Sequence, residues 1–339
     1  MAPLGIPLRP QLEDEVLASI RRLLAASTDR QAHEAANAVS GLTSRLPLRR
    51  LGNWERKIRN ELWAAQPRPA WLRWPLLSRQ PRFVPLLSLC SGSGFERERA
   101  VRDLGGGVPN GFFCALVMRR LNDWVPQVRA AAREQLHLVA TRSDASSVVD
   151  ALWYTLPHWR SWGRMEEADR AALQGVIAMD DVASALKSRL CTATAGPAAI
   201  ILSQAGPAGS LDKWLDEIAR QAIQPTVRAT AFRYLLEGRV VWVTGWRWKW
   251  IDRQWCKGRS EPILAERHVQ GEQPFSELLQ QASIDPAVAV RRVAGDLIIE
   301  RLNSVAANAL RLAERLAADP SPSVAERGQY ALEKIGRLQ

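Results

Sequence analysis

One short pattern returns along the chain at a near-constant interval, and it restricts the available folds more than any other feature. Asp123-Trp124-Val125-Pro126-Gln127-Val128-Arg129 is matched by Asp285-Pro286-Ala287-Val288-Ala289-Val290-Arg291 and by Asp319-Pro320-Ser321-Pro322-Ser323-Val324. A weaker copy stands at Pro225-Thr226-Val227-Arg228. Aligned on the valine, the copies fall at 128, 227, 290 and 324. The first interval is three units of about 33 residues, the last is one unit, and the middle one is a unit plus an insertion of about 30 residues.

Each part of the pattern has a physical task. Asp and Pro close a turn: Pro presets φ for the first turn of the next helix, and Asp accepts from its free amides. The valine enters the core between helices. The arginine that follows can meet the turn aspartate of the next unit and hold the two in register. The pattern resembles that of HEAT repeats, and by that family's pattern Asp123, Arg129, Arg228, Asp285, Arg291 and Asp319 are expected to be structural links between repeats rather than ligand contacts.

Helical periodicity fills the space between the copies. It predicts helices over 12–26, 29–46, 96–104, 111–121, 126–140, 145–156, 166–179, 182–190, 211–223, 225–236, 276–282, 287–302, 306–318 and 324–338, with Asp29 capping the second. Gly105-Gly106-Gly107, Gly196-Pro197, Gly206-Pro207, Asp285-Pro286 and Asp319-Pro320 punctuate them. Short helices joined by short linkers imply neighbouring antiparallel pairs. One pair cannot cover its own apolar face, so pairs must stack. Over 95–140 and 210–338 the chain resembles the HEAT-repeat superfamily. That resemblance implies an all-α fold, a HEAT-like α-solenoid of stacked antiparallel helix pairs, with one inserted β-hairpin-like arm. Residues 1–90 would form an N-terminal helical cap, 91–338 the repeats, and 238–270 the arm within them. The family implies a fold and no single activity.

The insertion breaks the helical period. From Arg239 to Trp255 the sequence alternates, placing Trp246, Trp248 and Trp250 on one face and Arg247 and Lys249 on the other. Period two with aromatic and β-branched residues predicts strand. A tight turn at Thr244-Gly245 would set Trp242 opposite Arg247, with the ring stacked on the guanidinium; a turn around Asp252-Arg253 is the other arrangement. The three tryptophans either anchor the arm on the helices or face a partner. Trp242, Arg247, Lys249, Arg253, Trp255, Lys257 and Arg259 are the candidate partner-binding residues, because Trp and Arg dominate binding energy at interfaces and also stack on bases and pair with phosphates.

Charge points to the same place and to one other. The net charge is +11. Residues 41–90 carry +8 of it and 221–260 carry +6, so the remainder is slightly acidic. Those two segments also hold nine of the 14 tryptophans. In the first, Trp54, Trp63, Trp71 and Trp74 mix with Arg49, Arg50, Arg56, Lys57, Arg59, Arg68, Arg73, Arg79 and Arg82 between prolines. It reads as an irregular helical cap or as one wall of a basic groove. Basic surfaces draw anionic partners at long range.

Local signatures of catalysis are missing. Gly105-Gly106-Gly107 is not followed by a phosphate-loop lysine, no GxSxG elbow occurs, and His33, His137, His158 and His268 have no ligands at metal spacing. Neither a metal nor a cofactor is expected. Cys90, Cys114, Cys191 and Cys256 are far apart, which excludes a disulfide scaffold and suggests a reducing cytoplasm. No apolar run is long enough to span a bilayer. The expectation is a non-enzymatic scaffold or adaptor that binds a macromolecule with its solenoid surface and its arm. A protein partner is favoured; nucleic acid is the alternative, including the case of the HEAT-like DNA glycosylases, whose catalytic positions have no counterpart that can be matched in this sequence.

Overall fold

The computed structural model describes residues 10–65, 84–301 and 309–336. Among these residues the chain is mostly helical, with seventeen α-helices and one two-stranded antiparallel sheet. It divides into two compact units at Val176/Ile177.

The first unit holds α1 (Pro10–Leu24), α2 (Asp29–Thr43), α3 (Leu51–Ala64), α4 (Val84–Ser88), α5 (Gly94–Arg102), α6 (Gly111–Arg120), α7 (Pro126–Thr141), α8 (Ala145–Thr155) and most of α9 (Glu167–Ile177). Its centre is α6, GFFCALVMRR, of which only Arg119 escapes full burial. A helix that is apolar on nearly every side must be surrounded. Here α3, α7 and α8 pack on it, while α1 packs on α2 and α5 on α7. Asn110 fixes where α6 begins: its side-chain oxygen accepts from the amides of Phe112 and Phe113, and its Nδ2 donates to Ser40 and Thr43 of α2. The cap of α2 is Thr28, whose side chain accepts from the Gln31 amide, so Asp29 is the first helical residue instead of the cap.

The second unit holds α10 (Asp180–Thr192), α11 (Ala198–Ala205), α12 (Leu215–Gln221), α13 (Pro225–Glu237), β1 (Arg239–Asp252), β2 (Lys257–His268), α14 (Phe275–Ser283), α15 (Val288–Glu300), α16 (Ala309–Ala317) and α17 (Pro322–Gly336). Consecutive helices pair as α12 with α13, α14 with α15 and α16 with α17, and α13, α15 and α17 pack one against the next. This is helix-pair repetition. The helix α11 has no counterpart among the expected elements, because Gly196-Pro197 and Gly206-Pro207 read as two adjoining turns. The sequence boundaries expected at Ala306 and Leu338 lie outside the described residues.

The repeated pattern works as a clasp. Val128, Val227, Val290 and Val324 are all fully buried. Arg228 donates to backbone carbonyls of its own turn at Ala222 and Ile223, and forks onto Asp285 of the next turn with two contacts of 2.9 Å. Arg291 does the same with Asp285 and Pro286 carbonyls and with Asp319, at 2.6 and 3.0 Å. Each aspartate also accepts from an amide two residues on, Ala287 and Ser321 respectively. In the first unit Asp123 has this role, but its partners are Arg97, at 2.9 and 2.8 Å, and Arg120 at 2.9 Å. Arg97 holds the carbonyls of Ser91 and Gly92, so it belongs to a copy of the pattern whose turn lacks the Asp-Pro pair. Arg129 holds its own Asp123 carbonyl and reaches Glu166, a surface glutamate, instead of a turn aspartate.

Burial raises the Asp123 carboxyl, and the hydrogen bonds from Arg97 and Val125 with the charges of Arg120 and Arg97 more than reverse this, leaving it below the usual aspartate value. Asp319 is also held low, first by its hydrogen bond from Arg291.

Candidate binding arm

The two strands form a hairpin that follows α13 directly. Gly238, at φ 70°, ends α13 in the left-handed conformation and turns the chain into β1. The base is tied to the second unit. Val240 is buried, and Tyr234 Oη and Ser203 Oγ both donate to the Val241 carbonyl. Burial, ahead of its other influences, raises the Tyr234 phenol. Arg267 donates to the Gly206 carbonyl and forks onto Asp212 with two contacts of 2.6 Å. A Cβ at Gly206 would lie 2.7 Å from Val240 and 3.6 Å from the Trp242 ring, so the absence of a side chain lets the strand settle here.

Beyond the base, among the described residues, β1 and β2 pair only with each other. The register sets Val243 opposite Leu264, Trp246 opposite Pro262, Trp248 opposite Ser260 and Trp250 opposite Gly258. The chain reverses at Arg253–Cys256, the second of the two arrangements open to the sequence. Thr244-Gly245 is a β-bulge in a continuous strand and not a turn. Asp252 makes the reversal by accepting from the amides of Gln254 and Trp255, and Cys256 takes the left-handed conformation at φ 50°. From Thr244 to Asp252 the ribbon extends about 25 Å at the usual strand rise.

Alternation then sorts the side chains. Trp246, Trp248 and Trp250 stand in a row on one face, 60%, 55% and 47% exposed. They are not anchors. Trp248 and Trp250 meet edge to face with ring centroids 5.7 Å apart. Trp248 lies over Gly258, where a Cβ would come within 2.5 Å of the indole. Leu264, also exposed, extends the same face toward the base. The opposite face is basic: Arg247, Lys249 and Arg259 gather around Glu261, which Arg259 holds at 2.8 Å and Lys249 at 3.2 Å. The hydrogen bond from Arg259 leads the causes that lower the Glu261 carboxyl.

Of the candidate partner-binding residues, Arg247, Lys249, Arg253, Trp255, Lys257 and Arg259 are exposed on this distal half. Trp242 is not among them. It pairs with Ala265 at the half-buried base, with its ring beside Gly206 rather than over Arg247. Of the two roles open to Trp246, Trp248 and Trp250, burial against the helices is not what the structure has: all three are exposed.

In the first unit, Trp54 is buried, whereas Arg49 and Arg56 are exposed. Trp71, Trp74, Arg68, Arg73, Arg79 and Arg82 lie outside the described residues. Among the described residues no cluster of histidine, cysteine, aspartate and glutamate is placed to hold a metal ion, and no helix is long and apolar enough to cross a membrane.

No family model matches the chain, and no curated protein does. Among solved structures it is similar to a designed armadillo repeat protein, at 16% identity over 74% of this chain and 98% of that one, with a TM-score of 0.23. At that score the two backbones do not superpose as one arrangement, and the helix-pair repetition rests on the packing described above.

Proposed function

We propose that the chain is a HEAT-like adaptor that captures a protein partner with its hairpin arm. The observation that carries this is the row Trp246, Trp248 and Trp250, exposed on one face of a ribbon that is anchored at its base and otherwise unpaired. A soluble chain gains nothing from holding three indoles in water, and contiguous exposed apolar surface of this kind marks interaction sites. Tryptophan and arginine are the residues most often responsible for binding energy at protein interfaces. The free edges of β1 and β2 add unpaired backbone groups to which a partner strand can align.

The test is co-purification with the full chain and with Trp246→Ser/Trp248→Ser, both changes lying on exposed side chains. A partner that the native chain retains and the variant loses, at unchanged helical circular dichroism, supports the reading. Equal retention by both chains removes the arm from the account.

A further inference from the structure

A second surface, in the first unit, also brings arginines and aromatic rings together. In the first unit a cavity of about 1000 Å³ lies among the start of α3, the Ser91-Gly92 turn, the end of α6, α8 and the segment around Trp162. Eight arginines and two carboxylates line it. The carboxylates are Glu55 and Asp123, and both are already engaged. Glu55 accepts from Arg119 at 2.9 Å, Arg120, and Arg59 at 3.2 Å, while Asp123 accepts from Arg97 and Arg120. Four guanidiniums therefore share two acids on the floor. Donors exceed acceptors there: the Arg120 Nε is buried with no hydrogen-bond partner. Arg49 and Arg164 stand exposed on the rim. The surplus positive charge around this concave surface is large, and a concave wall focuses such a field.

Aromatic planes share the same walls. Trp124 is 71% exposed, and Tyr154 and Trp162 are half-buried. Arginine forks match phosphate oxygens, and indole rings stack on bases whatever their sequence. The volume is at the upper end of small-ligand sites, and the opening is wide. A duplex keeps its bases stacked inside and has no flat face to offer Trp124. An acidic or phosphorylated peptide would use the arginines and leave the rings idle. We infer that this cavity binds single-stranded nucleic acid, with phosphates on Arg49, Arg164 and Arg119 and an unpaired base on Trp124.

The experiment is fluorescence anisotropy of the full chain with a labelled 12-nucleotide single strand, as DNA and as RNA, across a salt series. Binding is expected at about 50 mM salt, weakening with a log–log slope near −0.7 per phosphate neutralised. Arg49→Glu/Arg164→Glu should lower affinity at least tenfold and make that slope shallower. Trp124→Ala should lower it by about 5- to 100-fold, and should leave binding of inorganic polyphosphate unchanged. Trp246→Ser/Trp248→Ser should bind the strand like the native chain, so failure here and failure of the arm's protein partner are read separately. The assignment is overturned by no binding at low salt, by equal binding with the rim charges reversed, by a duplex that binds as well as the single strand, or by Trp124→Ala with no effect.

Discussion

Asp123→Ala is the substitution that best tests the clasp. The Asp123 carboxylate accepts four hydrogen bonds, from Arg97 Nε and Nη2, Arg120 Nη1 and the Val125 amide. The side chains of Arg97, Arg120 and Asp123 are 3%, 5% and 2% exposed. Removing the acid leaves one guanidinium with only carbonyl partners and another with only Glu55, both out of reach of water. Breaking a buried ion pair from one side typically costs about 3–5 kcal/mol, whereas an exposed pair contributes about 0–1. Arg21–Glu61, with the arginine 63% exposed, supplies the exposed comparison within the same unit. Because the chain has two compact units, one melting temperature is not a defined quantity for it. Native-state hydrogen exchange on peptides from α5 to α7 reads the first unit alone. Asp123→Ala should lower the opening free energy there by about 3–5 kcal/mol, and Glu61→Ala by less than about 1. Arg97→Met/Asp123→Leu should recover much of the loss, since it removes charges together instead of stranding one. Equal effects of Asp123→Ala and Glu61→Ala, or a double variant no better than the single, would refute the clasp as a buried ionic device.

Three further outcomes follow from the geometry. Asp123 and Asp319 titrate below the ordinary 3.8 of an aspartate in the folded chain, so each contributes stability that is complete above that value and is lost as pH falls through the lowered one. The gap in opening free energy between the native chain and Asp319→Asn, read by native-state hydrogen exchange on peptides from α15 to α17, should therefore close on acidification and not open. Cys256 is exposed at the arm's turn while Cys90, Cys114 and Cys191 are buried, with burial pushing the Cys90 and Cys114 thiols up to about 12. A thiol reagent should accordingly modify one cysteine per native chain and four after denaturation. Gly258→Val places a side chain where the Trp248 indole lies, so it should shift the indole resonances of the arm while leaving exchange in α13 and α15 unchanged.

What the sequence disclosed and what it withheld have physical causes. The repeat was legible because a buried valine and a proline-started helix impose a local pattern at each turn. The Arg228–Asp285 and Arg291–Asp319 pairs could be proposed for the same reason. The copy containing Arg97 was not legible, because Ser91-Gly92 offers the arginine backbone carbonyls as well as any Asp-Pro turn does, and carbonyls leave no mark in a sequence. Alternation alone left the hairpin turn open between Thr244-Gly245 and Asp252-Arg253. The second strand, KGRSEPILAERH, has little apolar alternation and contains Pro262, so only its pairing with β1 defines it. Alternation showed that Trp246, Trp248 and Trp250 share a face, but no pattern reports what covers a face. The cavity was the least legible feature. Arg49, Arg119, Trp124 and Arg164 come from four separate places in the chain, and only the first lies in the basic segment that composition singles out.

The arm and the cavity both bring arginines and aromatic rings together in one region, yet the backbone arranges them differently. A strand has a side-chain period of two, and in β1 the rings and the cations occupy alternate positions. The pleat therefore alternates them between the two faces, although Arg247, Lys249 and Arg253 still border one depression with Trp248 and Trp250. The helix ends and turns of the first unit obey no such rule. There, side chains distant in sequence enter one concavity, so arginines and rings face the same volume. Under the two proposals above, an apolar protein partner is expected on the ribbon and an anionic, planar ligand in the cavity. If one partner class proved to need both surfaces at once, with arm and cavity variants losing it together, the sorting of side chains by strand and turn geometry would not be what determines recognition here.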